Sequence, residues 1–220
     1  GNEFLRSLEP EAVLRIDGKE ILLGGTTSPP NRAYLDPQWL KTLEPDPASM
    51  RLSSIEEVPV QAPVVDKDRD WPPRGKAVLL RFKTDRIVAT VRFEIYDGLP
   101  VLAKQVEIVN AGGAPFRLEH VSSEKLSVVE GESNVEAVRA WRLPNLTALT
   151  DMAFGGGTLD AGPAVHWKED PRYETQVSYQ LKTPALLEIH PPVGPGVDLA
   201  PKESLKSVRS FLVLHATDEW

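Results

Sequence analysis

The sequence predicts an all-β protein, a large sandwich of two packed antiparallel sheets. Short runs in which apolar and polar residues alternate recur along the chain, and Gly, Pro, Asn and Asp separate them. No stretch of ordinary helix length carries apolar residues at three-to-four-residue spacing, so strands do not alternate with helices. With 220 residues, one β domain can bury a sizeable core, and residues 1–220 are read as a single domain.

The elements follow in order. Ala12 to Ile16 and Lys19 to Leu23 flank Asp17-Gly18, a pair that tolerates the positive φ angles of a tight hairpin turn. Gly24 to Pro73 reads as a proline-rich irregular excursion anchored by Trp39 and Trp71, in which Ser53-Ser54 before Glu56-Glu57 could open a short helix. Ala77 to Phe82 and Ile87 to Tyr96 are strands, the second with Ile87, Ala89, Val91, Phe93 and Ile95 on one face and Arg92 and Glu94 on the other. Asp97-Gly98 turns the chain into Val101 to Val109, and Asn110 to Gly113 turns it again into Phe116 to Leu126. Further strands are expected at Asn134 to Arg142, Tyr173 to Leu181, Leu186 to His190 and Ser204 to His215.

Composition narrows the function. Hydrophobic residues at 41% and charged residues at 26% suit a folded globular chain. Lys and Arg number 25 against 32 Asp and Glu, a net charge of -7 without a basic cluster, which argues against nucleic acid and anionic membrane surfaces as partners. The chain has no cysteine, so disulfides, thiolate nucleophiles and cysteine metal sites are excluded, and no apolar run is long enough to insert in a membrane. A leading Gly in place of Met fits a processed start; a removed signal peptide would put the protein in the periplasm or outside the cell.

Candidate chemistry is sparse. Gly155-Gly156-Gly157 lacks the lysine and the strand-to-helix frame of a phosphate loop and reads as a turn. His120, in phase with Phe116 and Leu118, reads as a partly buried strand histidine, with a role as acid or sugar contact beside Glu119 or Glu124 as the sharper reading. His166 and His190 read as edge or loop groups, and His215 lies near Asp218. No histidine pair has metal-ligand spacing, no serine sits in a Gly-x-Ser-x-Gly elbow, and no carboxylate pair is singled out for glycosidic chemistry, so neither a metal nor a cofactor is expected. Trp141, Trp167 and Tyr173 could stack on sugars or fill core and interdomain space.

Several phrases together resemble the N-terminal β-domain of α-galactosidase-like enzymes, glycoside hydrolase family 36 and its related clan. They are Ile87 through Pro100, with Tyr96-Asp97-Gly98-Leu99-Pro100 at their close; Lys104 through Asn110; Pro192 through Val197; and Ser207-Val208-Arg209-Ser210-Phe211. The resemblance covers roughly the C-terminal two-thirds of the chain. It implies a large antiparallel two-sheet sandwich of the galactose-mutarotase-like type, the supersandwich, that precedes a (β/α)8 barrel, with the catalytic aspartates on that barrel and no catalytic residue in this sequence. The final strand runs to Trp220 without a polar fade, which fits the point where such enzymes pass from sandwich to barrel.

The function expected is therefore that of an accessory, non-catalytic domain whose partner is a C-terminal catalytic barrel, with oligomer contacts as an added role. Trp39, Trp71, Trp141, Trp167 and His120 are the candidate sugar or interdomain contacts. Two alternatives stand beside it. One is a free-standing carbohydrate-binding module using exposed tryptophans. The other is a sugar epimerase, which requires histidines and a glutamate to converge, with His120, His166 and His190 as the histidines to watch.

Overall fold

The first hairpin forms as its turn dictates. The computed structural model describes residues 4–27, 35–60, 74–129, 146–152, 164–173 and 184–214. After a short strand β1 (Leu5–Ser7), β2 (Ala12–Ile16) and β3 (Lys19–Leu23) pair antiparallel, with Arg15 opposite Glu20. Asp17 and Gly18 between them take φ angles of 48° and 75°, the left-handed pair a two-residue hairpin needs.

The excursion that follows is less irregular than its composition suggests. It holds a 3-10 helix at Trp39–Thr42 and then a strand, β4 (Leu52–Val58). The helix expected from Ser53 does not form. Instead Ile55, Glu56 and Glu57 pair with Leu80, Leu79 and Val78 of β5 (Gly75–Lys83), and the carboxylates meet Arg81 and Lys76 across the ladder. β5 continues into a meander with β6 (Ile87–Tyr96) and β7 (Leu99–Asn110). Gly75 is required where β5 begins, because a Cβ there would lie 2.1 Å from the Ile95 carbonyl oxygen.

The expected strand from Phe116 is real but bent. It divides into β8 (Phe116–Ser122) and β9 (Glu124–Val128) at Ser123, whose backbone N–H donates to the Ile189 carbonyl. The remaining strands are β10 (Leu146–Thr150), β11 (Val165–Lys168), β12 (Leu186–Ile189), β13 (Val197–Leu199), β14 (Ser204–Lys206) and β15 (Ser210–Leu214). The last expected strand is split as well. Ser207 turns its hydroxyl to accept from the Val106 N–H, and β14 and β15 resume on either side of it, both paired with β7. The strand expected at 134–142 lies outside the described residues, as do Gly155 to Gly157, His215 and all of the strand expected from Tyr173 to Leu181 except Tyr173 itself.

The architecture is all-β, made of antiparallel sheets that remain open rather than closing into a barrel. A seven-stranded sheet runs β10-β15-β7-β6-β5-β4, with β14 also on β7. Two four-stranded sheets, β13-β8-β2-β3 and β1-β9-β12-β11, share the continuous chain of β8 and β9. The first of them packs Leu14, Ile16, Phe116 and Leu118 against Phe82, Ala89, Val91 and Ile108 of the large sheet. The second packs Val128, Leu187 and Ile189 against Leu146 and Leu212. Apolar side chains from facing sheets thus make two cores side by side.

Several polar groups buried at the seams are answered by partners. Asn110 is fully buried; its amide donates to the Ala114 and Leu199 carbonyls at 2.9 and 2.8 Å and its Oδ1 accepts from Gly112. Glu94, 2% exposed, accepts from Arg92 Nε at 2.7 Å and Tyr96 Oη at 2.8 Å, with Arg209 Nη1 at 3.7 Å. Burial and the Glu94 charge push the Tyr96 phenol up to about 12, so it remains a donor. Arg6, also fully buried, donates to the carbonyls of Val128 and Ala185, pairs with Asp170 at 3.1 Å and lies 4.0 Å from the centre of the Tyr173 ring.

Candidate functional site

A bulge decides where His120 points. Along β2 and β8 the partners are Leu14 with Val121, Arg15 with His120, then Ile16 with Leu118, so β8 carries one extra residue at Glu119. Leu118 and Val121 both enter the first core, which places His120 with Arg15 on the opposite face. The phase expected from Phe116 and Leu118 is therefore wrong for this residue, because the bulge resets the alternation. The hairpin turn supports the bulge: Gly18 N–H donates to Glu119 at 3.1 Å, and Arg117 N–H donates to Asp17 at 2.9 Å. That Arg117 bond, joined by Arg86, holds the Asp17 carboxyl below its usual range.

Two more histidines arrive from the second small sheet. His166 on β11 stands opposite Glu188 on β12, so the two side chains share a face, while Trp167 takes the other face and packs on the second core. His190 follows β12 directly, and its N–H donates to the Ala164 carbonyl. The rings of His166 and His190 stack at 4.0 Å and 15°, and His120 meets His190 edge-on at 4.8 Å.

The hydrogen bonds set the tautomers. His166 Nε2 lies 3.2 Å from the His190 carbonyl oxygen and His190 Nδ1 lies 2.8 Å from that of Pro191. A carbonyl can only accept, so these two nitrogens carry protons. In its neutral form His166 keeps a lone pair on Nδ1, and His190 Nε2 is 4.0 Å from Glu188 Oε2. Glu188 also accepts from Lys168 at 2.5 Å.

Charge follows from this packing. Burial lowers the pKa of His120, and His190 and Arg15 add to the effect. Burial likewise lowers that of His166, with His190 again contributing. Burial opposes the Glu188 charge, but Lys168, Lys125 and His190 outweigh it and hold the carboxyl below its ordinary range. At neutral pH the site thus presents His120 and His166 as neutral imidazoles beside the ionised Glu188 carboxylate, a combination able to accept and return protons or to bind hydroxyl groups. Among the described residues no group of three His, Asp or Glu is arranged to hold a metal ion. Stacked rings offer faces to one another, not convergent lone pairs.

Glu124 is not part of the cluster. The corner at Ser123 sends it between the sheets, where it bonds Lys104 at 2.8 Å. Trp39 is half-buried at the start of the 3-10 helix, and Trp71 and Trp141 lie outside the described residues. The sequence held one usable signal for the cluster: Glu188 and His190 are two apart on an expected strand and so share a face. The stacking of His166 and His120 upon them depends on strand pairing and on the bulge. No protein-family model matches the chain, and no curated protein does either.

Proposed function

We propose that this chain is the non-catalytic β-domain of an α-galactosidase-like glycoside hydrolase, of family 36 or its related clan, and that it supports a (β/α)8 barrel carrying the catalytic aspartates. One observation carries the reading: phrases of the resemblance that lie far apart in sequence meet in the folded chain. Strands of the first and last phrases flank that of the second in the large sheet, Glu94 of the first forms an ion pair with Arg209 of the last at 3.7 Å, and Asn110, which ends the second, donates to the carbonyl of Leu199, two residues beyond the third. Phrases far apart in sequence that interlock in this way behave as one structural signature. The packing of the two small sheets, joined through β8 and β9, against the seven-stranded sheet is compatible with the two layers that this reading requires. The domain's work is to bury barrel surface and hold loops beside the sugar site. The test is hydrolysis of an aryl α-galactoside by the protein expressed from its complete open reading frame. Activity abolished by mutation of a barrel aspartate supports the reading, and an open reading frame that encodes no barrel sinks it.

A second reading is favoured by the histidine cluster, that of a sugar epimerase acting at the anomeric carbon. One of the neutral imidazoles would take the proton from the anomeric hydroxyl while a protonated partner donates to the ring oxygen, opening the ring. Polarimetry on freshly dissolved galactose and glucose tests it. Acceleration lost in both His190→Gln and Glu188→Gln would favour this reading, and a rate equal to that of buffer would end it.

A further inference from the structure

The second core is not closed. Between β1 and β9 on one side and β7, β10 and β15 on the other lies a cavity of about 320 Å³. Its walls include Leu5, Leu102, Leu126, Val128, Leu212 and Phe93. That volume is within the range of small-molecule sites, roughly 300–1,000 Å³, and far above the roughly 30 Å³ of one water. A space walled so largely by carbon gives water few partners.

One end of the cavity is polar. Lys104 Nζ stands 2.8 Å from Glu124 and 3.3 Å from Glu11, and 5.1 Å from the centre of the Phe93 ring. Lys104 and Glu124 are both 2% exposed. Burial works against the Lys104 charge, but the two carboxylates outweigh it and raise its pKa. Ser7 also lines the cavity, and its Oγ is buried without a hydrogen-bond partner. A buried hydroxyl left unmatched is destabilising, so a ligand that satisfies it gains what the empty site forgoes.

We propose that this cavity is a binding site for a small amphipathic molecule, with an aliphatic body along the leucine walls and a neutral hydroxyl head at the Ser7, Lys104 and Glu11 end. The head chemistry follows from what already stands there. A carboxylate head would meet Glu124 and Glu11, and an ammonium head would meet Lys104. A hydroxyl can donate to a carboxylate and accept from Ser7 Oγ in the same position. The site is distinct from the histidine cluster and from the frame around Glu94, and it does not depend on the presence of a barrel.

The experiment is titration of the 220-residue chain with 1-octanol, read by calorimetry and by thermal melting, with octanoate and octylammonium as head-group comparators. Saturable binding of one octanol per chain is expected, with a rise in Tm because the ligand binds the folded state, and the charged comparators should bind at least tenfold more weakly. Leu102→Phe and Leu126→Phe fill the cavity from opposite walls. Each should lower octanol affinity at least tenfold while leaving the ligand-free Tm unchanged or raised. Ser7→Ala should hold or raise the ligand-free Tm while weakening octanol several-fold, a combination that a purely structural serine would not produce. Absence of saturable binding overturns the proposal, as does equal affinity in both phenylalanine variants. Tighter binding of either charged comparator overturns the assignment of the head group.

Discussion

The two small sheets lie against the same large sheet but are held to it by different means. The first core buries a broad set of side chains, from Ala12, Leu14 and Leu23 through Phe82, Val91 and Ile108 to Phe116, Leu118 and Leu199. The second buries Val128, Leu146, Leu187, Ile189 and Leu212 among partly exposed neighbours and leaves a cavity beside them. What the second lacks in apolar area it makes up in enclosed ions: Lys104 with Glu124, and Arg6 with Asp170. One side of the molecule therefore depends on contact area, which is tolerant of detail, and the other on matched charges, which are not.

That contrast can be broken most directly at Lys104. Lys104→Met should cost about 3–5 kcal/mol in urea unfolding, since it strands the Glu124 carboxylate. Adding Glu124→Leu to it should restore most of the loss; a single variant as stable as the double would remove the distinction between the two cores. Next in size is Leu118→Ala in the first core, expected to cost about 3 kcal/mol, against about 1–2 kcal/mol for Leu102→Ala, whose side chain already faces the cavity. Equal losses would mean that both cores are packed alike. Asn110→Ala should cost about 2 kcal/mol by leaving the Ala114 and Leu199 carbonyls unmatched, measured as a fall in the denaturation midpoint.

The smallest effect is that of pH. His120 and His166 bind protons less readily folded than unfolded, so the unfolded chain takes up more protons once pH falls below about 6.5. Stability that is complete above that pH is lost as it falls toward the depressed folded values. The groups facing these rings are His190, Arg15, Glu188 and Lys168. Replacing His120 with Gln should flatten the decline between pH 7 and pH 5 in thermal melts, and an unchanged slope would show that the cluster does not sense protons.

Much of the strand pattern was legible in the sequence because turns and alternation are local. Asp17-Gly18 and Asp97-Gly98 mark hairpins wherever they fall, and the odd residues from Ile87 to Phe93 face the core as alternation requires. What escaped is what depends on distant partners. β4 is a strand because β5 offers it an edge, not because of its own residues. His120 changes face because the hairpin turn holds a bulge at Glu119, about a hundred residues away in sequence. Ser123 and Ser207 break long strands where a backbone or hydroxyl group finds a better partner elsewhere.

Arg6 carries a consequence for how the molecule comes to be folded. It reaches the Val128 carbonyl across 122 positions of sequence and the Ala185 carbonyl across 179. During synthesis β1 must wait, unpaired, until β9 has been made more than a hundred residues later. Contacts of such separation are closed late and slowly. A late step of assembly is thus the docking of a segment made long before its partners, and a chain halted before residue 185 would leave the Arg6 guanidinium without one of the two carbonyls it bonds.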